Sequence, residues 1–186
     1  MRKLISEHVR VLVVYLIVFM LLRWEWPGSV RGMFDLVGLW VGGAIGMALL
    51  GLDRVIHVYA TRPHEQLSQQ VSSLVGQRKL REALQTLLLR RGEQYHLAFR
   101  NGVFALVFIP VLFFAITSTS GLFGKGIALG LMVHLVYDIW RDQLTRPQHL
   151  NSWLFWMVSR EVSPEEQRTF VWILTGGFGL LNLLLL

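Results

Sequence analysis

Five apolar segments constrain the fold of this chain more than any other feature of its sequence. They cover residues 8–22, 34–52, 102–119, 122–140 and 169–186. A helix needs about 20 mostly apolar residues to cross the hydrocarbon core of a bilayer. The composition agrees, because 53% of the 186 residues are hydrophobic and only 16% are charged. We therefore predict one all-α domain, residues 1–186, that is polytopic in a membrane and has about five transmembrane helices.

The basic residues are unevenly distributed around these segments. If the N-terminus lies inside, only Arg23, Arg31 and Lys125 fall on the outer side, and the other lysines and arginines lie inside. Cytoplasmic loops of membrane proteins carry an excess of basic residues. The sequence thus predicts a multi-pass inner-membrane protein with its N-terminus inside and its C-terminus outside. The formal net charge of +6 then indicates topology and contact with anionic lipid headgroups, and no nucleic-acid partner is expected.

Two polar stretches on the inner side separate the spans. Residues 63–100 carry apolar side chains at helical spacing on both sides of Gly76, which predicts two cytoplasmic amphipathic helices. These helices either lie on the anionic inner leaflet or dock against the bundle. Residues 142–168 are predicted to be interfacial. They end in Ser163-Pro164-Glu165-Glu166, a pattern that is typical of a helix N-terminus.

Gly38, Gly42 and Gly46 recur every four residues in the second apolar segment. Small residues at this spacing let two membrane helices approach closely. We predict tight helix packing there and a homodimer through these glycines. The chain has no cysteine, so any metal ion must be bound by imidazole or carboxylate groups.

Two acid and histidine pairs are the strongest indication of function. Asp53 precedes His57 by four residues, and His134 precedes Asp138 by four residues. Residues four apart share one face of a helix, and both pairs lie at predicted cytoplasmic span ends. Ionisable groups are costly to bury in a membrane, so they usually mark a site. The pairs predict a four-ligand site for a divalent metal ion, with zinc, manganese or iron as the candidates.

The residues just before the third span complete this prediction. His96 or Glu93 would transfer protons, and Arg100 would stabilise negative charge that develops in the reaction. The remaining histidines are predicted not to be ligands. His64 and His149 neighbour prolines in polar loops, and His8 opens the first span among charged residues.

The segment Gly130-Leu-Met-Val-His134-Leu-Val-Tyr-Asp138 resembles the Gly-xxx-His-Leu-xx-Asp signature of the bacterial membrane-bound metal-dependent hydrolases, the family that contains the LexA-regulated inner-membrane hydrolases. Gly51-Leu-Asp53-Arg-Val-Ile-His57 is similar to an acid-rich element of that family. The resemblance covers roughly residues 35–142 and implies a metal site at Asp53, His57, His134 and Asp138. The family's His-Arg-Gly-xx-His-Ser block corresponds to Arg91-Gly92-Glu-Gln-Tyr-His96, without the first histidine and the serine.

Three functions remain open at this point. The first is a metal-dependent hydrolase that acts on a phosphate or ester group of a lipid-like substrate at the cytoplasmic leaflet. The second is a noncatalytic membrane scaffold or interaction protein in which the acid and histidine pairs are interhelical hydrogen-bond clamps and the basic inner segments bind anionic lipid or a partner protein. The third is a transporter or channel, which fits least because the ionisable residues cluster at one leaflet and no inverted repeat is visible. Apart from these functions, Asp53 and Asp138 fit ordinary interfacial carboxylates paired with Arg54 or Arg141.

Overall fold

A computed structural model describes residues 2–23, 30–118 and 121–184 of the chain. All regular secondary structure in these ranges is helical, which confirms the all-α prediction. The helices are α1 (Arg2–Arg23), α2 (Val30–Ile56), α3 (Gln66–Gly76), α4 (Leu80–Leu89), α5 (Gly102–Thr117), α6 (Leu122–Thr145), α7 (Pro147–Leu154) and α8 (Pro164–Leu184). A π-helical turn, His57–Thr61, continues α2, and a 3-10 turn, Arg91–Glu93, follows α4. The predicted span ends at 119, 185 and 186 lie outside the described residues.

Two of the helical segments are long and apolar enough to cross a membrane. They are Gly32–Thr61 and Leu122–Thr145, with 30 and 24 residues. Helix α5 is apolar but shorter, with 16 residues. Length and composition therefore support two membrane-crossing helices, and the five-span arrangement remains a prediction.

Helix α6 is the centre of the bundle and packs against α1, α2, α5, α7 and α8. Its side chains Leu129, Met132 and Leu135 are fully buried in the main hydrophobic core. Side-chain hydrogen bonds also connect α1 and α6 to α8. The Tyr15 hydroxyl of α1 donates to Asn182 of α8 at 2.5 Å, and the Trp140 indole of α6 donates to Thr175 of α8 at 2.8 Å.

Glycines allow α2 and α6 to approach each other closely. A Cβ atom at Gly42 would overlap the carbonyl oxygen of Phe123, and one at Gly46 would overlap that of Ile127. On α6, a Cβ atom at Gly126 would overlap the carbonyl oxygen of Leu39, and one at Gly130 would overlap that of Gly43. The predicted close packing is therefore intramolecular. Helix α6 of the same chain lies against Gly38, Gly42 and Gly46, and the homodimer through these glycines stays a prediction.

Helices α3 and α4 form a hairpin with a small core of its own. Val58, Leu67, Val71, Ala83 and Leu87 make this core, which is separate from that of the bundle. As predicted, two amphipathic helices flank Gly76, where α3 ends.

The predicted start of the last helix is also correct. Helix α8 begins at Pro164, and the Ser163 hydroxyl accepts a hydrogen bond from the Glu166 amide at 3.2 Å. The Glu166 carboxylate accepts from the Ser163 amide at 2.9 Å. This reciprocal pair satisfies two amide groups at the helix start that would otherwise lack partners.

Candidate metal centre

His134 and Asp138 of α6 meet, as their four-residue spacing predicts. His134 Nε2 lies 3.4 Å from Asp138 Oδ2, and each side chain is 10% exposed. The two side chains face the region where α1 and α2 pack against α6. The pair is therefore enclosed by protein, where an ionisable group needs specific partners.

The third member of the cluster is His8, which the sequence analysis excluded. Its Nε2 lies 2.9 Å from Asp138 Oδ1, and its ring meets that of His134 edge to face at 4.6 Å between centroids. The structure places His8 beside the pair because α1 packs across α6, a contact between residues 130 positions apart that leaves no local pattern. One signal was available: His8 lies at the same predicted inner side of the membrane as His134 and Asp138.

His8, His134 and Asp138 can each offer one ligand atom, and these atoms all lie within 4.8 Å of one another. A neighbouring carbonyl fixes the orientation of His134, because its Nδ1 lies 2.8 Å from the main-chain oxygen of Met47. A carbonyl only accepts, so Nδ1 carries the hydrogen and donates. In the neutral ring the Nε2 lone pair then accepts from Arg100 Nη2 at 3.3 Å. Metal-binding histidines are oriented by the same kind of hydrogen bond.

Arg100 supplies the positive charge of the cluster. Its guanidinium Nη2 lies 2.8 Å from Asp138 Oδ2 and 3.3 Å from His134 Nε2. Arg100 lies just before α5, outside any helix, so another contact must hold its backbone in place. The structure places this predicted oxyanion-binding residue at the cluster.

Asp53 provides that contact. Its carboxylate is fully buried and accepts the main-chain N–H groups of Ala98, Phe99 and Arg100 at 2.8, 2.9 and 3.0 Å. The structure gives the Asp53 oxygens main-chain partners and does not group them with His134 and Asp138 as the prediction requires. Three backbone donors occupy the oxygens of Asp53, and its effect is to fix the segment that carries Arg100.

His57 also lies apart from the cluster. Its Nδ1 is 3.3 Å from the carbonyl oxygen of His96, and its Nε2 is 3.1 Å from Glu65 Oε2. One ring nitrogen thus faces Glu65, just before α3, and the other faces the segment before α5. His57 is not brought together with His134 and Asp138, so the predicted four-ligand site does not form among the described residues.

The two predicted proton-transfer residues are elsewhere too. The His96 ring packs edge to face on Trp156, with centroids 5.1 Å apart. Its pKa is lowered by burial and by the positive charge of Arg62. Glu93 is half exposed and is paired with Arg90, whose hydrogen bond lowers the Glu93 carboxyl pKa. Neither side chain lines the cavities beside Asp138.

The arrangement combines two imidazoles, one carboxylate and one guanidinium at a junction of helices. Two histidines and one carboxylate are a common ligand set for divalent metal ions that keep open coordination positions. Comparisons of the chain with protein-family models, with curated proteins and with solved structures found no match. The family resemblance of the sequence therefore stays a prediction.

Proposed function

We propose that the chain is a multi-pass inner-membrane protein that binds a divalent metal ion at His8, His134 and Asp138. We further propose that it hydrolyses a phosphate or ester group of a lipid-like substrate at the cytoplasmic leaflet. The observation that supports this most is the convergence of three ligand atoms beside the Arg100 guanidinium. A divalent metal ion such as zinc, manganese or iron would supply Lewis acidity and an activated water nucleophile there.

The residues of the chain have distinct tasks in this proposal. His134 presents the lone pair of Nε2, and Asp138 offsets part of the positive charge of the site. Arg100 binds the oxygen on which negative charge develops. His8 donates to Asp138 in the described arrangement, so it would bind a metal ion through Nε2 as the tautomer that carries its hydrogen on Nδ1.

The outer surface of the bundle supports the membrane part of the proposal. Large apolar side chains point outward from several helices, such as Phe34, Phe114 and Leu180, which are 73%, 72% and 64% exposed. Extensive exposed apolar surface of this kind suits contact with lipid. On α4, Leu80 and Leu84 are exposed beside Lys79 and Arg81. This surface suits an anionic inner leaflet.

The proposed topology is testable because the chain has no cysteine. Single substitutions Gln77→Cys and Lys125→Cys place one thiol on each proposed side of the membrane. A membrane-impermeant maleimide should label Lys125→Cys in intact cells and Gln77→Cys only after the cells are opened. The reverse pattern would contradict the N-inside orientation.

The hydrolase proposal requires metal content and turnover on the same samples. Purified protein, loaded with zinc, manganese or iron, is assayed on 4-nitrophenyl phosphate and 4-nitrophenyl octanoate beside His134→Ala and Asp138→Asn. His64→Ala is the matched control, because His64 is exposed and lies in a loop. Metal near one equivalent and turnover are expected in the wild type and the control, with both lost in the other two variants. A folded wild type that takes up no metal would refute the proposal.

One observation favours a second function, the scaffold. Asp138 is already ion-paired with Arg100 and accepts a hydrogen bond from His8, so protein groups alone compensate its buried charge. In that case the cluster is a clamp between α1, α6 and the segment before α5. Asp138→Asn would then lower stability, at about 0.6 kcal/mol for each interhelical hydrogen bond lost, and the wild type would bind no metal.

A further inference from the structure

Two cavities of different character meet at the cluster. A polar cavity of about 30 Å³ is bordered by Arg54, Arg100, Arg141 and Asp138. A larger cavity of about 250 Å³ has a mostly apolar wall and also touches Arg54, Arg100 and Asp138. The three shared residues form a common boundary between the cavities. A ligand that fills both spaces would therefore have a polar end and an apolar end.

The charges around the polar cavity favour an anion. Four arginines border it, Arg54, Arg100, Arg141 and Arg146, but only two carboxylates do, Asp138 and Asp142. His149 borders it as well and lies 3.7 Å from Asp142. The carboxylates are already paired, Asp138 with Arg100 at 2.8 Å and Asp142 with Arg146 at 3.4 Å. The surplus of guanidinium groups is a binding environment for phosphate or carboxylate.

Hydrogen-bonding capacity remains available in the same cavity. Arg100 Nε and Gln94 Oε1 are buried and have no hydrogen-bond partner among the described residues. The Arg141 side chain makes no hydrogen bond or ion pair within the described part of the chain. A buried polar group without a partner is costly, so such groups often indicate a ligand. The Arg100 and Arg141 donors and the Gln94 acceptor match a phosphate monoester, which offers acceptor oxygens and one O–H group.

The apolar cavity is kept open by small residues of α2. Ala44, Ala48 and Gly51 lie on one face of that helix and line the cavity, with Leu88 of α4 on the other side. All three small residues are exposed, so the cavity opens outward. Its volume is below the range of sites for drug-sized ligands, which suits one alkyl chain.

We propose that the two adjacent cavities together bind a single-chain amphiphile with a phosphate monoester head. The head lies against Arg100 and Arg141, and the chain follows Ala44, Ala48 and Gly51. The identification of this amphiphile as a substrate rests on the proposed hydrolase function, because His134 and Asp138 border the same space. Binding itself does not depend on that function.

The test measures equilibrium binding of decyl phosphate to metal-free protein in nanodiscs of zwitterionic lipid, with empty nanodiscs as background. Inorganic phosphate and decanol are measured separately. Decyl phosphate should bind more tightly than either, because only it can use both cavities. If inorganic phosphate bound as tightly as decyl phosphate, the proposed amphiphile would be wrong and the site would be one for a free anion. If decanol bound as tightly as decyl phosphate, the proposed recognition of the phosphate head would be wrong.

Two variants test the two halves of the site. Arg141→Gln should weaken decyl phosphate binding about tenfold or more, since it removes a charge-assisted contact. Ala48→Leu should weaken decyl phosphate binding similarly and leave inorganic phosphate binding unchanged. Arg160→Gln and Ala60→Leu are matched controls at exposed positions away from both cavities. Folded Arg141→Gln and Ala48→Leu proteins with wild-type affinity for decyl phosphate would overturn the proposal.

Metal content and hydrolysis of decyl phosphate are measured on the same preparations. Tight binding of decyl phosphate without metal uptake or turnover would refute the proposed hydrolase and retain the amphiphile site. Metal uptake and turnover of 4-nitrophenyl phosphate without tight decyl phosphate binding would retain the hydrolase and refute the amphiphile site. The two failures are therefore distinguishable.

Discussion

The Asp53 and His57 pair and the His134 and Asp138 pair have the same four-residue separation, but the structure uses them differently. Asp53 accepts three main-chain N–H groups, and His57 faces Glu65 and a carbonyl. The pair on α6 instead meets a histidine and an arginine from elsewhere in the chain. Spacing determines which side chains share a helix face, but the neighbouring segment determines what those side chains do.

Arg100 connects the two pairs. Its main-chain N–H donates to Asp53 at 3.0 Å, and its guanidinium lies 2.8 Å from Asp138. Asp53 therefore influences the cluster through the backbone, as a positioning residue. The Asp53 and His57 pair is held by local backbone and side-chain contacts, whereas the His134 and Asp138 pair belongs to the candidate metal cluster. Substitutions in or near the two pairs should therefore have different effects on stability and on metal binding.

The largest expected effect on stability belongs to Asp53→Ala. The substitution leaves three N–H groups without their acceptor, at about 1–3 kcal/mol for each group that water does not reach. We expect a loss of about 3 kcal/mol or more in the free energy of unfolding, measured by denaturant titration in detergent. Asp53→Asn retains one acceptor oxygen and should lose less. An Asp53→Ala protein of wild-type stability that fails to bind metal would mean that Asp53 is a ligand.

The close packing of α2 against α6 holds the Asp53 and His57 pair near the His134 and Asp138 pair. The substitution Gly46→Ala tests this packing. The new Cβ would overlap the Ile127 carbonyl oxygen, so the helices must separate, at about 1–3 kcal/mol. Gly51→Ala is the matched control on the same helix, because nothing lies within 4 Å of its new Cβ. The midpoint of thermal unfolding should fall only for Gly46→Ala. Equal midpoints for both variants would contradict the close α2–α6 packing.

Glu65→Gln tests the anchoring role of His57. The Glu65 carboxylate lies 3.1 Å from His57 Nε2 and its side chain is 39% exposed. We expect a loss of about 1 kcal/mol because solvent weakens a partly exposed pair. Metal content should not change. Glu93→Gln, at an exposed acid paired with Arg90, should leave metal content unchanged as well. Loss of metal in either variant would place that acid in the cluster.

The smallest effect is expected at a surface acid remote from both pairs. The hydrogen bond from Arg160 lowers the pKa of Glu166 from 4.5 to about 2. A lowered folded-state pKa stabilises the fold above pH 4.5, and this contribution disappears as the pH falls through about 2. Glu166→Gln should therefore flatten the fall of the unfolding midpoint between pH 4.5 and 2. An unchanged pH profile would show that the pair contributes nothing measurable.

The parts that the sequence predicts correctly depend on local patterns. The helical class follows from the apolar segments, helices α3 and α4 from amphipathic spacing on both sides of Gly76, and the start of α8 from Ser163 and Pro164. Helix ends are less accurate. Helix α6 continues to Thr145, five residues beyond the apolar segment, because a polar end of a helix carries no hydropathy signal.

The candidate site was only half predictable for a related reason. The meeting of His134 and Asp138 is a property of one helix, and so it can be read from the sequence. The positions of His8 and Asp53 depend on which helix packs against α6 and on which backbone amides lack partners. These are tertiary properties that no local pattern encodes, and Asp53 illustrates this because its three donors lie more than 40 residues away.

We propose that His8, and not Asp53 or His57, completes the ligand set with His134 and Asp138. Zinc and manganese are titrated calorimetrically into purified wild type, His8→Ala and His57→Ala. Loss of a residue that only supports a ligand weakens metal binding at least about tenfold, and loss of a ligand itself should weaken it more. His8→Ala should therefore lose metal affinity, and folded His57→Ala should retain it. Retained affinity in His8→Ala together with loss in His57→Ala would mean that His57, and not His8, is the ligand.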